Sequence, residues 1–392
     1  MRRSLHAAGG LLGALLIPAP LLADGCLIPS TLETQTGKLS QSRQEVIMVL
    51  ADGAVGQTGE PAPTVTYILR SEYTGDAADL AWVVPSPATP TQVSSDLNDD
   101  LFKTLAAATA PRFYVPGPPR SSMGCDCAGT GAANTQGGLV TVEASGRAGV
   151  FDWAALTSGG SAALVGWLNS HGYNVPADAE PILQTYIDQD WHFLAVRIKR
   201  PLAVLAVAAR KEIPPIQFTC ATSRRVYPLL ISRISAVDST ELIVYVAGAH
   251  RARAKNADTA TISESELALN PANSTGTTYE DVFSNKVAAL GGPALITEWA
   301  DTVRAGTLGE PVTQITNGLF LTRLRTVLTP AQMDRDLEFE DAPDDAAVSG
   351  VFYVGWSQYA LMALAGPGAG VAVAGLATVG LKRICRRRWR VA

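Results

Sequence analysis

The clearest periodicity in the chain lies between Gly149 and Arg200. Leu164, Val165, Leu168 and His171 recur at helical spacing, so Ser161 to His171 reads as a helix with one apolar stripe. Ser158 or Ser161 is placed to cap its start, because a hydroxyl accepts hydrogen bonds from the free amides of a first turn. Gly172 is placed to end it in the left-handed conformation. A second helix opens at Pro181, whose missing N–H costs nothing in a first turn, and carries Ile182, Leu183, Tyr186 and Ile187 on one face. From Trp191 to Arg200 the period drops to two: His192, Leu194, Val196 and Ile198 alternate with Trp191, Phe193, Ala195 and Arg197. That is strand spacing. The stretch reads strand, helix, helix, strand, and its apolar faces require a sheet to pack on.

The flanking segments are mostly strand-like. Ser42–Leu50, Thr64–Tyr73 and Leu80–Val84 precede the helix pair, and Pro85, Pro87 and Pro90 stop the third. Leu97, Leu101 and Leu105 predict a helix over Ser94–Ala108, with Ser94 or Ser95 as cap and Pro111 beyond its end. Pro116–Gly138 is a loop rich in Pro, Gly and Ser. Ile216–Thr222, Val226–Ser232 and Glu241–Gly248 read as strands, and His250–Lys255 as a basic turn. Tyr279–Leu290 and Ala294–Arg304 read as helices separated by Gly291-Gly292-Pro293. Leu319–Leu328 is ambiguous between strand and helix, and Leu337 with Phe339 marks a last short strand. Strands, helices and strands again, without steady βαβ alternation, predict an α+β fold with a largely antiparallel sheet and packed helices. No clean linker interrupts residues 26–340, so they read as one exported domain.

The two ends differ from this body. Residues 1–25 hold Arg2, Arg3 and an apolar run from Leu11 to Leu22, the pattern of a secretory signal. Cleavage after Gly25 follows Ala23-Asp24-Gly25 and leaves Cys26 first, while cleavage after Ala23 puts Leu21 where a small residue is wanted. At the other end, no charge occurs from Ala346 to Leu381. Residues 360–381 have the length of a single transmembrane helix. An acidic linker and interfacial aromatic stretch at 341–359, with Phe352, Tyr353, Trp356 and Tyr359, precedes it. The basic tail 382–392 follows, with Lys382, Arg383, Arg386, Arg387, Arg388 and Arg390, and places the C-terminus in the cytoplasm by the positive-inside rule. Trp356 and these cations are the expected membrane anchors. Gly366, Gly370 and Ala374 form a small-residue stripe through which the span could meet itself or another envelope protein, although plain Gly/Ala richness is the slightly favoured account of it. A rival reading of the same end is a sorting tail removed after export.

Charge narrows the partners. The whole chain carries −5, but two of its 31 Lys and Arg stand in the signal with one acid, Asp24, and six in the tail, leaving −12 between them. Nucleic acid is not an expected partner, because phosphate binding needs a basic face.

The candidate chemistry is sparse. Cys26, Cys125, Cys127 and Cys220 would lie outside the cell, where disulfides form. Cys125 and Cys127 are too close to bridge each other without strain, so Cys26 and Cys220 are their expected partners in either order. The expected metal ligand set is none: two C-x-x-C knuckles are lacking for zinc, and C-x-C is not the thioredoxin spacing. His171 falls near a helix C-terminus and His192 on the apolar face of its strand, so both read as structural. A Cys125–His192–Asp190 hydrolase can be written down, but strand neighbours point to opposite faces. No Gly-x-Ser-x-Gly elbow, phosphate loop, dinucleotide fingerprint or His-Glu-x-x-His motif occurs, and no cofactor is expected. The carboxylates of Asp334–Asp345 lack the glycine and spacing of a calcium loop and read as a solvated acidic stalk. Trp82, Trp153, Trp167 and Trp191 read as core rather than as a carbohydrate platform.

Several stretches together resemble a bacterial family of predicted secreted proteins, the domain of unknown function 2330. They are Asp79–Pro87 (DLAWVVPSP), Thr109–Arg112 (TAPR), Phe151-Asp152, Leu164–Tyr173 (LVGWLNSHGY), Phe193–Lys199 (FLAVRIK) and Pro228–Leu230. Thr322–Leu324 follows, with Pro330, Met333, Asp336-Leu337 and Phe339. The resemblance implies a secreted or membrane-tethered domain and implies no activity. Two functions are therefore carried forward. The first is a membrane-tethered, non-catalytic binding or structural protein of the cell envelope, with its body on the periplasmic side. The second is an exported cysteine- or metal-dependent enzyme.

Overall fold

The computed structural model describes residues 26–29, 40–55, 61–74, 79–115, 140–173, 175–176, 179–199, 211–236 and 239–355. The signal at 1–25, Cys125 and Cys127, Trp356, the span at 360–381 with Gly366, Gly370 and Ala374, and the basic tail with Lys382, Arg383, Arg386, Arg387 and Arg388 lie outside the described residues. Among the described residues, no helix is long and apolar enough to cross a membrane. Among the described residues the fold is α+β, with two large antiparallel-rich sheets and five α-helices.

The central sheet runs in the order Asp258–Ala260, Ala294–Thr302, Phe320–Leu328, Thr240–Gly248, Ser40–Val55, Pro61–Thr74, Ile216–Ala221, Thr91–Ser94. Lys211–Glu212 also pairs with Pro61–Thr74. Two pairings are parallel, Thr240–Gly248 with Ser40–Val55 and Asp258–Ala260 with Ala294–Thr302. Burial on both faces explains the unbroken apolar run Leu242–Ala247, which leaves no room for a polar alternation. The flanking sheet is antiparallel throughout, in the order Cys26–Pro29, Asp79–Ser86, His192–Lys199, Phe151–Thr157, Thr141–Ala148.

Alternation along the strands builds the layers. Val46, Met48, Tyr67, Leu69 and Val244 of the central sheet share one core with Trp82, Val84, Phe151, Leu194 and Val196 of the flanking sheet. On the far face of the flanking sheet, Val83, Leu156, Phe193 and Ala195 pack with Leu164, Leu168, Leu183 and Tyr186 of the helices Ser161–Ser170 and Glu180–Ile187. On the far face of the central sheet, Ile47, Ile68, Ile243 and Leu321 meet Leu101, Phe102 and Leu105 of helix Leu101–Thr109 and Val312 of helix Glu310–Thr316. A fourth cluster joins Tyr279, Phe283 and Val287 of helix Tyr279–Leu290 to Ile296, Phe352 and Val354.

The strand–helix–helix–strand expectation for the central stretch holds, but its caps differ. Neither Ser158 nor Ser161 caps the first helix. The Ser161 amide donates to Gln184 Oε1 of the second helix at 2.9 Å, so the two helices are tied at this end. Gly172 does take the left-handed conformation, φ +83°, and Asp190 takes it after the second helix, φ +57°.

Three elements depart from expectation. Ala294–Thr302 is a strand, not a helix, paired with Asp258–Ala260 and Phe320–Leu328; burial of Ala294–Glu298 on both faces removes the alternation that marks a strand. The helix expected from Ser94 starts only at Leu101. Ser94 Oγ accepts from the Asp96 amide and Asn98 Oδ1 from the Asp100 amide, and these local turns compete with a helix. Val226–Ser232 splits into the strand Val226–Tyr227 and a 3-10 helix at Leu230–Ile234. The ambiguous apolar segment resolves as the strand Phe320–Leu328.

The acidic stalk is also corrected. Val226–Tyr227, Leu337–Asp341 and Ala252–Ala254 form a small sheet whose carboxylates are ion-paired: Glu338 with Lys255 at 2.6 Å, Asp341 with Arg225, and Asp344 with Arg251 at 3.0 Å. Beyond it, Val348 bridges Ala300, and Val351–Phe352 pairs in parallel with Arg112–Phe113. Residues 341–355 therefore strap onto the body, because their cations and apolar partners lie on it.

Candidate functional site

The face of the central sheet that packs on helix Leu101–Thr109 carries charge as well as apolar groups. Arg70 and Glu45 stand opposite each other on paired strands. Arg70 donates to Glu45 through Nε at 2.9 Å and again through Nη2, and reaches Glu212 through Nη1 at 3.2 Å. Its guanidinium lies over the Phe102 ring, 5.0 Å from the centroid. A longer ladder runs beside this pair. Arg43 joins Glu72 at 3.2 Å and Glu241 at 2.6 Å. Arg325 continues from Glu241, also at 2.6 Å, to Glu298 at 3.4 Å and to Glu280 at 3.0 Å. Arg323 closes the far end on Glu298 at 2.7 Å and on the Tyr245 hydroxyl. Tyr279 donates to the other Glu298 oxygen at 2.9 Å.

The ladder's electrostatics follow from burial and pairing. Burial pushes the Glu45 carboxyl above its usual range, and Arg70 only partly offsets it. For Glu241, burial acts upward, but Arg325 and Arg43 together outweigh it and hold the carboxyl low. Burial would lower Arg325, yet Glu280, Glu298 and Glu241 together keep its guanidinium firmly charged. The carboxylates here already serve as acceptors for guanidinium groups. The arrangement fixes strand register and docks helix Tyr279–Leu290 through Glu280 and Tyr279. It is suited to specifying one packing rather than to moving protons.

A second cluster stands at the rim between the sheets. Ser86 and His192 are directly opposed on paired strands. His192 Nδ1 lies 2.7 Å from Glu143 Oε2 and 3.4 Å from Thr89 Oγ1. Sequence pattern had placed His192 in the core. It is only half-buried, because its strand begins there and the ring turns to the carboxylate of Glu143. Cys220 lies close by, its Sγ 3.5 Å from the Ala88 carbonyl.

Cys220 is a fully buried thiol in the core between the sheets and is free among the described residues. Burial pushes it up to about 12, while the Ala88 carbonyl and the Ser86 hydroxyl act the other way. Of the other disulfide candidates, Cys26 begins the strand paired with Asp79–Ser86, and Cys125 and Cys127 lie outside the described residues. Trp82, Trp167 and Trp191 are buried, Trp153 half-buried. His171 stacks on Trp167 at 3.8 Å and its Nδ1 lies 2.7 Å from the Trp167 carbonyl. Among the described residues no group of His, Cys, Asp and Glu is arranged to hold a metal ion. A shallow groove of about 570 Å³ lies over the small sheet, lined by Arg224, Arg225 and Lys255 on one side and Glu338, Glu340 and Asp341 on the other.

The ladder was not anticipated, yet its signal is visible. Arg323 and Arg325 flank Leu324 in an apolar strand and share their face with Leu321 and Val327, and Arg70 and Glu72 stand likewise among Leu69, Ser71 and Tyr73 in theirs. Charges at period two inside apolar strands announce partners on neighbouring strands.

The model of a bacterial family described as "uncharacterized protein conserved in bacteria", domain of unknown function 2330, matches residues 37–340. The chain belongs to this family. The DUF2330 match opens just before the first central strand, Ser40–Val55, and ends inside Leu337–Asp341, so it takes in the central sheet, all of the flanking sheet but Cys26–Pro29, the ladder and the rim cluster. No curated protein matches the chain. Among solved structures, baculovirus P35 is similar at 9% identity and a TM-score of 0.27, over 80% of this chain and 97% of that one.

Proposed function

We propose that this DUF2330 chain is an exported domain, held on the outer face of the cytoplasmic membrane by its C-terminal segment, that serves the envelope as a binding or structural protein. The carrying observation is continuity. The body's last strand, Val351–Phe352, is pinned to Arg112–Phe113, and the chain then enters an uncharged run of 22 residues, 360–381, closed by six cations. Such a run makes roughly 33 Å of helix, enough for about 30 Å of hydrocarbon. Carrying each cation across would cost roughly 2.5–3.5 kcal/mol. The mutual pairing of the charges in the central sheet supports the non-catalytic part, since it turns its most conspicuous polar groups into scaffold. The small-residue stripe of Gly366, Gly370 and Ala374 fits self-association or a second envelope protein in the bilayer.

One observation favours the enzymatic alternative: Glu143 orients His192 as an orienting carboxylate holds a general base. The hydroxyl opposite it, on Ser86, is sealed from solvent, and the Cys220 thiol nearby is pushed away from the thiolate form, so this reading ranks second.

Protease added to intact spheroplasts tests the tether. The body is expected to be digested while a fluorescent protein fused after Ala392 stays intact and bright in the cytoplasm. A protected body, or a mature protein that lacks the tail by mass spectrometry, overturns the single-span reading.

A further inference from the structure

Four large apolar or aromatic side chains stand well exposed among the described residues: Tyr114, Val142, Leu269 and Tyr353. Three of them meet at one spot. The rings of Tyr114 and Tyr353 stack, with centroids 5.2 Å apart and planes 17° from parallel. Backbone pairing places them there: the Tyr114 amide donates to the Phe352 carbonyl at 2.9 Å, continuing the parallel ladder of Arg112–Phe113 with Val351–Phe352. Leu269 packs on the same spot. A methyl group added at Gly355 would stand 2.7 Å from Leu269 Cδ1, so the leucine lies directly against that glycine. Behind the exposed layer, Phe113 and Phe352 stack at 5.7 Å on buried Tyr279, which makes the platform rigid.

We propose that this platform is the foot of the body and rests in the headgroup layer of the bilayer. The inference deepens the tether reading and rests on it. Gly355 is the last described residue, and the uncharged run begins at Ala360. Five residues reach at most about 18 Å even fully extended, so the platform cannot stray far from the hydrocarbon edge. Tyrosine suits that depth, because its ring is apolar and its hydroxyl wet. Trp356 and Tyr359, between the platform and the run, extend the same chemistry along the chain. The body itself is acidic, so cations do not draw it to lipid; short tethering and aromatic contact do. A second copy of the chain is the competing occupant.

The full chain, reconstituted into vesicles of phosphatidylethanolamine and phosphatidylglycerol with a trace of lipid bearing a photoactivated carbene precursor, tests this. Peptides containing Tyr114, Leu269 and Tyr353 are expected to take up label at least fivefold over the peptide containing Val142. Label in 360–381 with the three foot peptides no higher than Val142 overturns the foot alone. The same result with cross-links between foot peptides of two chains assigns the platform to a dimer and also overturns it. Failure of the chain to float with the vesicles, with no label in 360–381, overturns the tether and the foot together.

Discussion

Arg323 donates through Nε to Glu298 at 2.7 Å, and both side chains are sealed from solvent, 5% and 0% exposed. The pair joins the two neighbouring strands Ala294–Thr302 and Phe320–Leu328. Glu298 also accepts from Tyr279 and lies against Arg325, so it ties a helix to the sheet. A buried charge that loses its partner keeps its desolvation cost and loses its compensation. Arg323→Met should therefore lower unfolding free energy by about 3–5 kcal/mol, measured by urea titration with unchanged m-value. A loss under about 1 kcal/mol would show that the pair contributes little beyond packing.

Asp336 offers a pH signature. Its Oδ1 accepts from the Tyr186 hydroxyl at 2.6 Å and from the Leu230 amide at 2.9 Å, joining the outer helix pair to the 3-10 turn and the small sheet. Burial nevertheless dominates those bonds and pushes its carboxyl up to about 6 from 3.8. A raised folded-state pKa means that the native state binds the proton more tightly. The stability from this group is fully present below the unfolded pKa near 4 and is lost as pH rises through about 6. Asp336→Asn keeps an acceptor oxygen without the charge. It should be more stable than wild type at pH 7.5, by on the order of 1–2 kcal/mol, with the gap closing toward pH 4. A gap that widens on acidification would reverse the assignment.

The Cys220 thiol makes a simpler test. Its burial and its position near 12 keep it both inaccessible and protonated at neutral pH. In the native, unreduced chain it should resist alkylation for hours, and after denaturation without reductant it should react at once, located by peptide mass spectrometry. A Cys220 peptide found in disulfide linkage would overturn the free thiol.

The helix pair and its flanking strands were legible because Leu164, Leu168, Leu183 and Tyr186 face one sheet, and burial on a single face prints its period on the sequence. Ala294–Thr302 was illegible for the opposite reason: apolar neighbours bury both faces, and the bulge between Thr297 and Trp299 breaks what alternation remains. The late start of helix Leu101–Thr109 depended on Ser94 and Asn98 choosing local backbone partners over a cap. The charged ladder was half-visible. Arg323 and Arg325 announce themselves in an apolar strand, but that Arg43 meets Glu241, 198 positions away, depends on a parallel pairing between distant strands. The acidic run misled because its cations, Arg225, Arg251 and Lys255, lie far off in the chain.

Phe352 tests whether the strap from 341 to 355 belongs to the body. A solvated stalk would tolerate any polar residue there. Phe352 is instead 6% exposed, stacked on Phe113 and tilted against Tyr279, each with centroids 5.7 Å away. Its carbonyl holds the Tyr114 amide, and the preceding Gly350 carbonyl holds the Arg112 amide at 2.7 Å. Removing the ring leaves a cavity that the two-strand ladder is too short to collapse. Phe352→Ala should cost about 3–5 kcal/mol, whereas Ala346→Ser, at an exposed position on the same strap, should change stability by under about 0.5 kcal/mol. Equal, small effects at both positions, read by thermal unfolding of the full chain, would return 341–355 to the role of a linker and detach the aromatic platform from the body.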